Sequence, residues 1–151
     1  MKKIVFLLCI VYIPYLTKAQ VKDPVTWTFT AKKIAGKSYE LHLTATIQAG
    51  WHTYSPSTPG GGPVPTKITL VNNPLVIVDS QLKEIGKLEK ENEPLFGVEV
   101  KQYSNKVDFV QVVKLKSAVS TSVKGTVEYM VCNDKQCLPP ATKEFLIPLS
   151  N

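Results

Sequence analysis

Cys132 and Cys137 are separated by Asn133, Asp134, Lys135 and Gln136. Cys132 closes a β-rich run, Val127-Glu128-Tyr129-Met130-Val131, and Cys137 leads into Leu138-Pro139-Pro140. The pattern predicts two strands joined by a tight, polar, exposed turn with the cysteines at its flanks. Opposite positions across a hairpin bring β-carbons close enough for a disulfide. Three chemistries suit such a pair. It can be a structural cross-link. It can be a redox pair for thiol–disulfide exchange. It can also bind a metal, as two thiolates with His42 or His52 for zinc, or with Met130 for copper(I). A bond closing so short a loop takes little entropy from the unfolded chain, and a domain of this length scarcely needs it. That favours a bond that opens and closes. Against metal, there is no second close cysteine pair and no histidine local in sequence, so no metal and no cofactor are expected.

Nothing local activates either thiol. The pair is not Cys-x-x-Cys, and no helix is expected to begin there, so no helix dipole acts on it. Lys135 is the only nearby positive charge, and Asp134 opposes it. Selective exchange then needs a partner that supplies the activated thiolate or aligns the sulfurs.

The elements that must position the pair read as strands. Val25, Trp27, Phe29 and Ala31 alternate with threonines, and Tyr39, Leu41, Leu43, Ala45 and Ile47 alternate with polar residues. Both are half-buried strands, joined at Ala35-Gly36-Lys37-Ser38 as a hairpin. Further strands are expected over 66–71, 75–78, 98–103, 107–115, 123–131 and 142–149. Gly125 marks a bulge or a close backbone approach, and Pro148 an edge. Many short strands between turn signals indicate an all-β antiparallel sandwich or barrel. Residues 55–63 and 83–96 are expected as loops, the first rich in glycine and proline, the second charged. His42 is placed on the solvent face, His52 in a loop, and Trp27 and Trp51 in the core.

Composition agrees with one globular domain: 151 residues, 44% hydrophobic and 20% charged. All 18 basic residues are lysines. Without arginine, bidentate reading of bases and phosphates is not expected, and nucleic acid is excluded as a partner. Lys2 and Lys3, the apolar run over 4–16 and Thr17-Lys18-Ala19 form the pattern of a cleaved secretory signal over 1–19, leaving a domain over 20–151. Cleavage takes away Lys2, Lys3 and Lys18 and brings the formal charge from +6 to +3. It also removes Cys9, and the remaining pair can oxidise in an exported location. No later segment is apolar enough to span a membrane.

The stretch from Met130 to Pro140 resembles the active-site hairpin of the N-terminal periplasmic domain of the thiol:disulfide interchange protein DsbD. The form is that of the disulfide bond corrector-like domains common in Bacteroidetes. Trp27-Thr28-Phe29, Gly50-Trp51-His52-Thr53-Tyr54-Ser55, Gly61-Gly62-Pro63-Val64-Pro65-Thr66 and Leu95-Phe96-Gly97-Val98-Glu99-Val100 agree in order. The resemblance implies an immunoglobulin-like sandwich in the periplasm. It implies a carrier of reducing equivalents, reduced by a thioredoxin-like protein or a membrane thiol reductase and reducing oxidised periplasmic proteins. It implies that Cys137 forms the mixed disulfide and Cys132 resolves it. Locally, Cys132 ends an apolar run and is expected to be the more enclosed. The family's shielding loop falls on 93–97, so Leu95 or Phe96 is expected to cover the sulfurs. His52 and Tyr54 match the region where the family places tyrosines beside its site. The spacing between the cysteines is one residue shorter than in the best-known form. The chain carries the sandwich alone, so its donor is expected to be a separate protein. A non-enzymatic binding module, with Trp51, His52, Tyr54 and the glycine-rich loop as contact surface and the disulfide structural, is the alternative reading; a metal carrier is the third.

Overall fold

The computed structural model describes residues 23–150. The expected signal segment, 1–19, lies outside them. The chain forms thirteen strands and, among the described residues, no helix. It is an all-β antiparallel assembly, as the alternation predicted, of the immunoglobulin-like kind that the resemblance implied. It is built from three hydrogen-bonded sheets where a sandwich needs two.

The first sheet holds β1 (Val25–Ala35), β2 (Ser38–Ile47) and β9 (Lys106–Leu115), with β5 (Val76–Val78) and β6 (Lys83–Gly86) along the far side of β9. β1 and β2 form the expected hairpin. Gly36 takes the turn at φ 51°, and Ile34 is extruded where the register shifts between Lys33 and Ala35. The second sheet is β13 (Ala141–Leu149), β10 (Thr121–Tyr129) and β4 (Lys67–Leu70). Apolar side chains of these two sheets form one core, in which Leu41, Leu43, Phe109, Val113, Val127 and Ile147 are fully buried. Trp51 lies in that core, and Trp27 packs against it. At Gly125 the register with β13 is continuous, so the glycine serves a close approach and not a bulge. A β-carbon there would stand 2.6 Å from the carbonyl oxygen of Thr69 and collide with the Phe145 ring. Pro148 lies on β13, the edge of its sheet, where its missing N–H is harmless.

The third sheet runs β12 (Gln136–Cys137), β11 (Val131–Asn133), β3 (His52–Tyr54), β8 (Val98–Ser104), β7 (Glu89–Glu93). Its alternate residues Tyr103 and Val131 point into the main core. Its opposite face carries Tyr54, Val100 and Cys132, a separate buried cluster.

Three expectations are corrected here. The segment 123–131 is not one strand: it breaks at Met130, where the chain leaves one sheet and enters another. Hydrophobicity continues through the break because both pieces are buried. The freed Met130 carbonyl accepts the Thr53 hydroxyl at 2.9 Å, so the switch does not leave that oxygen without a partner. The charged segment 83–96 is not a loop but contains β6 and β7. Both lie at sheet edges, where charged side chains face water and apolar alternation is lost. His52 is not in a loop. It opens β3, a strand of three buried residues that is too short to show a period. His42 does lie on the outer face of β2, opposite the core residues, half-buried with its Nδ1 2.7 Å from the Asp108 carboxylate.

Candidate functional site

The cysteine hairpin forms from its turn outward. Asn133 Oδ1 accepts the N–H groups of Lys135 and Gln136, at 3.0 and 2.9 Å, an Asx turn that reverses the chain in two residues. Asn133 pairs with Gln136, and Cys132 with Cys137. Leu138 N–H donates to the Val131 carbonyl at 3.0 Å. Hydrogen-bonded rungs therefore flank the cysteines, which face each other as a non-bonded pair, the closer of the two pair types. Their α-carbons are 4.0 Å apart and the sulfurs are joined in a disulfide. Cys132 is fully buried and Cys137 is half-buried on the edge strand β12.

On the other side of β11, Cys132 faces His52 of β3. Directly paired residues project to the same face, so Cys137, Cys132 and His52 share one row. Tyr54, two residues on, shares that face. Glu93 reaches the same place from the end of β7. Tyr54 donates its hydroxyl to Glu93 Oε2 at 2.6 Å, and His52 Nε2 lies 3.0 Å from that oxygen and 3.1 Å from the hydroxyl. The tautomer with hydrogen on Nε2 donates to the carboxylate. Glu93 is 1% exposed and His52 9%. Burial, then the hydrogen bond and charge of Glu93, push the Tyr54 phenol far above its ordinary range, so it remains a donor at any physiological pH. Glu93 Oε1 is buried and finds no hydrogen-bond partner among the described residues. A carboxylate oxygen of Glu93, a ring nitrogen of His52 and Sγ of Cys132 all lie within 4.8 Å of one another.

The remaining expected residues sit around this cluster. Glu93 to Gly97 form the β7–β8 turn, closed by the N–H groups of Phe96 and Gly97 on the Glu93 carbonyl, at 3.1 and 2.7 Å. Leu95 and Phe96 are 47% and 40% exposed. Phe96 stands beside Gly62, where a β-carbon would come 3.8 Å from its own. Thus the aromatic residue meets the glycine-rich loop. Val98 and Met130 are the partly buried aliphatic side chains against the Cys132 cluster. Lys135 is exposed at the turn. Trp51, His52 and Tyr54 are buried and do not offer the free contact surface of the binding-module reading. His42 lies in the first sheet, held by Asp108.

Sequence reading missed Glu93 as part of the site, and His52 was placed beside the cysteines by the resemblance alone, not by its spacing from them. The sequence distance from His52 to Cys132 hides a direct strand pairing. A weak signal was present: His52 and Tyr54 flank Thr53 at the spacing that puts both on one face of a strand. Glu93 carries no such mark.

Comparison with known proteins agrees with this geometry. Among solved structures, the reduced N-terminal domain of DsbD from Neisseria meningitidis superposes with a TM-score of 0.53 at 17% identity, covering 82% of this chain and 86% of that one. The N-terminal periplasmic domain of ScsB from Proteus mirabilis gives 0.53 at 19% identity, covering 83% of this chain but 45% of that one. The chain therefore spans less than half of the ScsB structure. No curated protein matches the chain. Residues 18–149 match the family described as the N-terminal part of the thiol:disulfide interchange protein DsbD. That match takes in both cysteines, His52 and Glu93. With a disulfide closed across the hairpin, it makes this chain a member of the DsbD N-terminal domain family, whose chemistry is thiol–disulfide exchange.

Proposed function

We propose that the protein passes reducing equivalents from a thioredoxin-like protein or membrane thiol reductase to oxidised exported proteins, through Cys132 and Cys137. On this reading residues 1–19 direct export, and 20–151 work in the periplasm as a protein-disulfide reductase. The observation that carries the proposal is the asymmetry of the pair: one sulfur enclosed, the other on an edge strand.

A donor thiolate attacks Cys137 Sγ along the sulfur–sulfur axis. The disulfide breaks, Cys137 is joined to the donor, and Cys132 leaves with the electron pair. Cys132 takes up a proton from solvent as the donor's second thiol gives one up, so the protons balance. The donor's second thiolate attacks its own sulfur in the mixed disulfide and expels Cys137. The donor leaves oxidised and this protein is reduced. In the forward half, Cys137 attacks an oxidised client, and Cys132 then attacks Cys137 and expels the client thiolate. Leu95 or Phe96 acts as the lid that keeps small thiols away.

Trapping tests the roles. The Cys132→Ser variant is expected to accumulate a mixed disulfide between Cys137 and a thioredoxin-like protein, and Cys137→Ser to trap far less. The reverse pattern exchanges the roles. If neither variant traps a partner and the oxidised wild type resists strong reductant, the disulfide is structural.

A further inference from the structure

The exchange reaction leaves one feature of the site unused. Glu93 is a buried acid with one oxygen bonded twice and the other unpartnered among the described residues. Burying a carboxylate oxygen without a donor is costly, and such an oxygen calls for a proton or a cation. It lies in a group whose members are all metal donors: the imidazole of His52, the Glu93 carboxylate and the sulfur of Cys132. Cys137 is next to Cys132 on the same row.

We propose that the reduced protein binds one zinc ion through Cys132, Cys137, His52 and Glu93. The donor set is mixed sulfur, nitrogen and oxygen and numbers four, which suits tetrahedral zinc. The carboxylate and imidazole disfavour copper(I), which prefers thiolate and thioether. Zinc–sulfur bonds of about 2.3 Å in a tetrahedron separate two thiolates by about 3.8 Å. Cross-strand cysteines reach that separation by rotating their side chains once the disulfide is opened. Binding releases the two thiol protons, and His52 turns a lone pair to the ion. In the oxidised protein both sulfurs are spent on each other, so the site exists in one redox state.

There is also a way in. A cleft of about 250 Å³ opens onto His52 and Glu93 and is lined further by Glu91, Asn92, Gln102 and Asp134. Glu91 and Asp134 are exposed at its mouth and attract a cation. Bound zinc occupies the attacking sulfur, so the metal and a client disulfide compete for the reduced pair. The inference rests only on the disulfide being reducible, and not on the direction of electron flow.

The experiment uses the whole protein, reduced with a phosphine, freed of reductant without air, and shown by thiol titration to hold two free thiols per domain. Failure at that step counts against the exchange reading. Cobalt(II) is then the probe. One equivalent is expected to give a thiolate-to-cobalt charge-transfer band and tetrahedral visible bands, both abolished by one equivalent of zinc and absent from the oxidised protein. Glu93→Gln and His52→Gln, chosen to preserve shape, are each expected to weaken zinc binding about tenfold or more, since even outer-shell groups cost that much. Circular dichroism of the oxidised variants shows that they are folded. The proposal is overturned if a protein with two titrated thiols gives no charge-transfer band. It is equally overturned if both folded variants bind zinc as tightly as the wild type, because the cysteines alone would then be the ligands.

Discussion

On β2 and β9, Leu43 lies opposite Phe109 and Ala45 opposite Val107, all fully buried. On the third sheet, the buried row holds Cys132 opposite His52, with Tyr54 and Glu93 against them. Both regions exclude water, but for different reasons. In the sandwich, burial is itself the driving force, and each apolar rung adds to stability. In the site sheet, buried polar groups cost desolvation, and their mutual hydrogen bonds offset it only in part. Strands of two, three and three residues, β12, β11 and β3, do not stabilise such a row alone. They hold because Val131 and Tyr103, on the back of the same sheet, are anchored in the main core. The site is a polar graft on an apolar scaffold, and the two should respond separately to change.

The largest expected effect lies in the scaffold. Phe109→Ala removes a fully buried ring that contacts Trp27 and Tyr103 and is expected to lower the unfolding free energy by about 3–5 kcal/mol. Urea denaturation measures it. The folded variant should still show a disulfide reducible at the wild-type rate. A loss below about 1 kcal/mol, or a changed rate of reduction, would mean that core and site are not separable.

A smaller effect is expected in the opposite place. Leu95 and Phe96 are exposed, so replacing both with alanine is expected to leave stability within about 0.5 kcal/mol. If the turn shields the sulfurs, reduction by glutathione accelerates roughly tenfold, equivalent to about 1.4 kcal/mol of barrier. An unchanged rate removes the lid from the mechanism and leaves Val98 and Met130 as the aliphatic cover of Cys132.

The same division decides what can be read from sequence. The long strands declare themselves because their partner is a hydrophobic core: β1 alternates from Val25 to Ala31 and β2 from Tyr39 to Ile47. Gly125 and Pro148 declare themselves because a close approach and a missing N–H constrain residue type. The cysteine hairpin was legible from its turn, since Asn133 caps it with its own side chain. The rest of the site was not legible from pattern: His52 and Tyr54 came from the resemblance, and Glu93 from neither. β3 is too short for a period, and β7 faces water along most of its length, so its last residue, Glu93, reads as one more surface charge. The break at Met130 is invisible because apolar residues continue on both sides. What places Glu93 beside Cys132 is a chain of strand pairings, β7 to β8 to β3 to β11, and no residue type encodes that.

A second buried-side carboxylate sharpens the comparison further. Asp23, like Glu93, accepts a tyrosine hydroxyl, from Tyr129 at 2.9 Å. Unlike Glu93, it has partners on both oxygens: Val25 N–H on Oδ1 at 3.1 Å, and Tyr129 with Lys143 Nζ, at 2.8 Å, on Oδ2. It thereby ties the start of β1 to β10 and β13. Burial raises its pKa, but the hydrogen bonds from Lys143, Tyr129 and Val25 outweigh burial and hold it below its ordinary 3.8. A depressed carboxyl contributes stability above its unfolded pKa, and that contribution is lost as pH falls through the folded value. Asp23→Asn is therefore expected to be less stable than wild type at pH 7. The difference should be below about 1 kcal/mol, because the pair with Lys143 is partly solvated and screened. It should close as the pH drops from about 4 toward 2, where the wild-type carboxyl is protonated too. Urea denaturation of both proteins at pH 7 and at low pH measures the gap. A gap of equal size at both would show that Asp23 acts through shape and neutral hydrogen bonds. Its charge would then not be what distinguishes it from the half-satisfied Glu93.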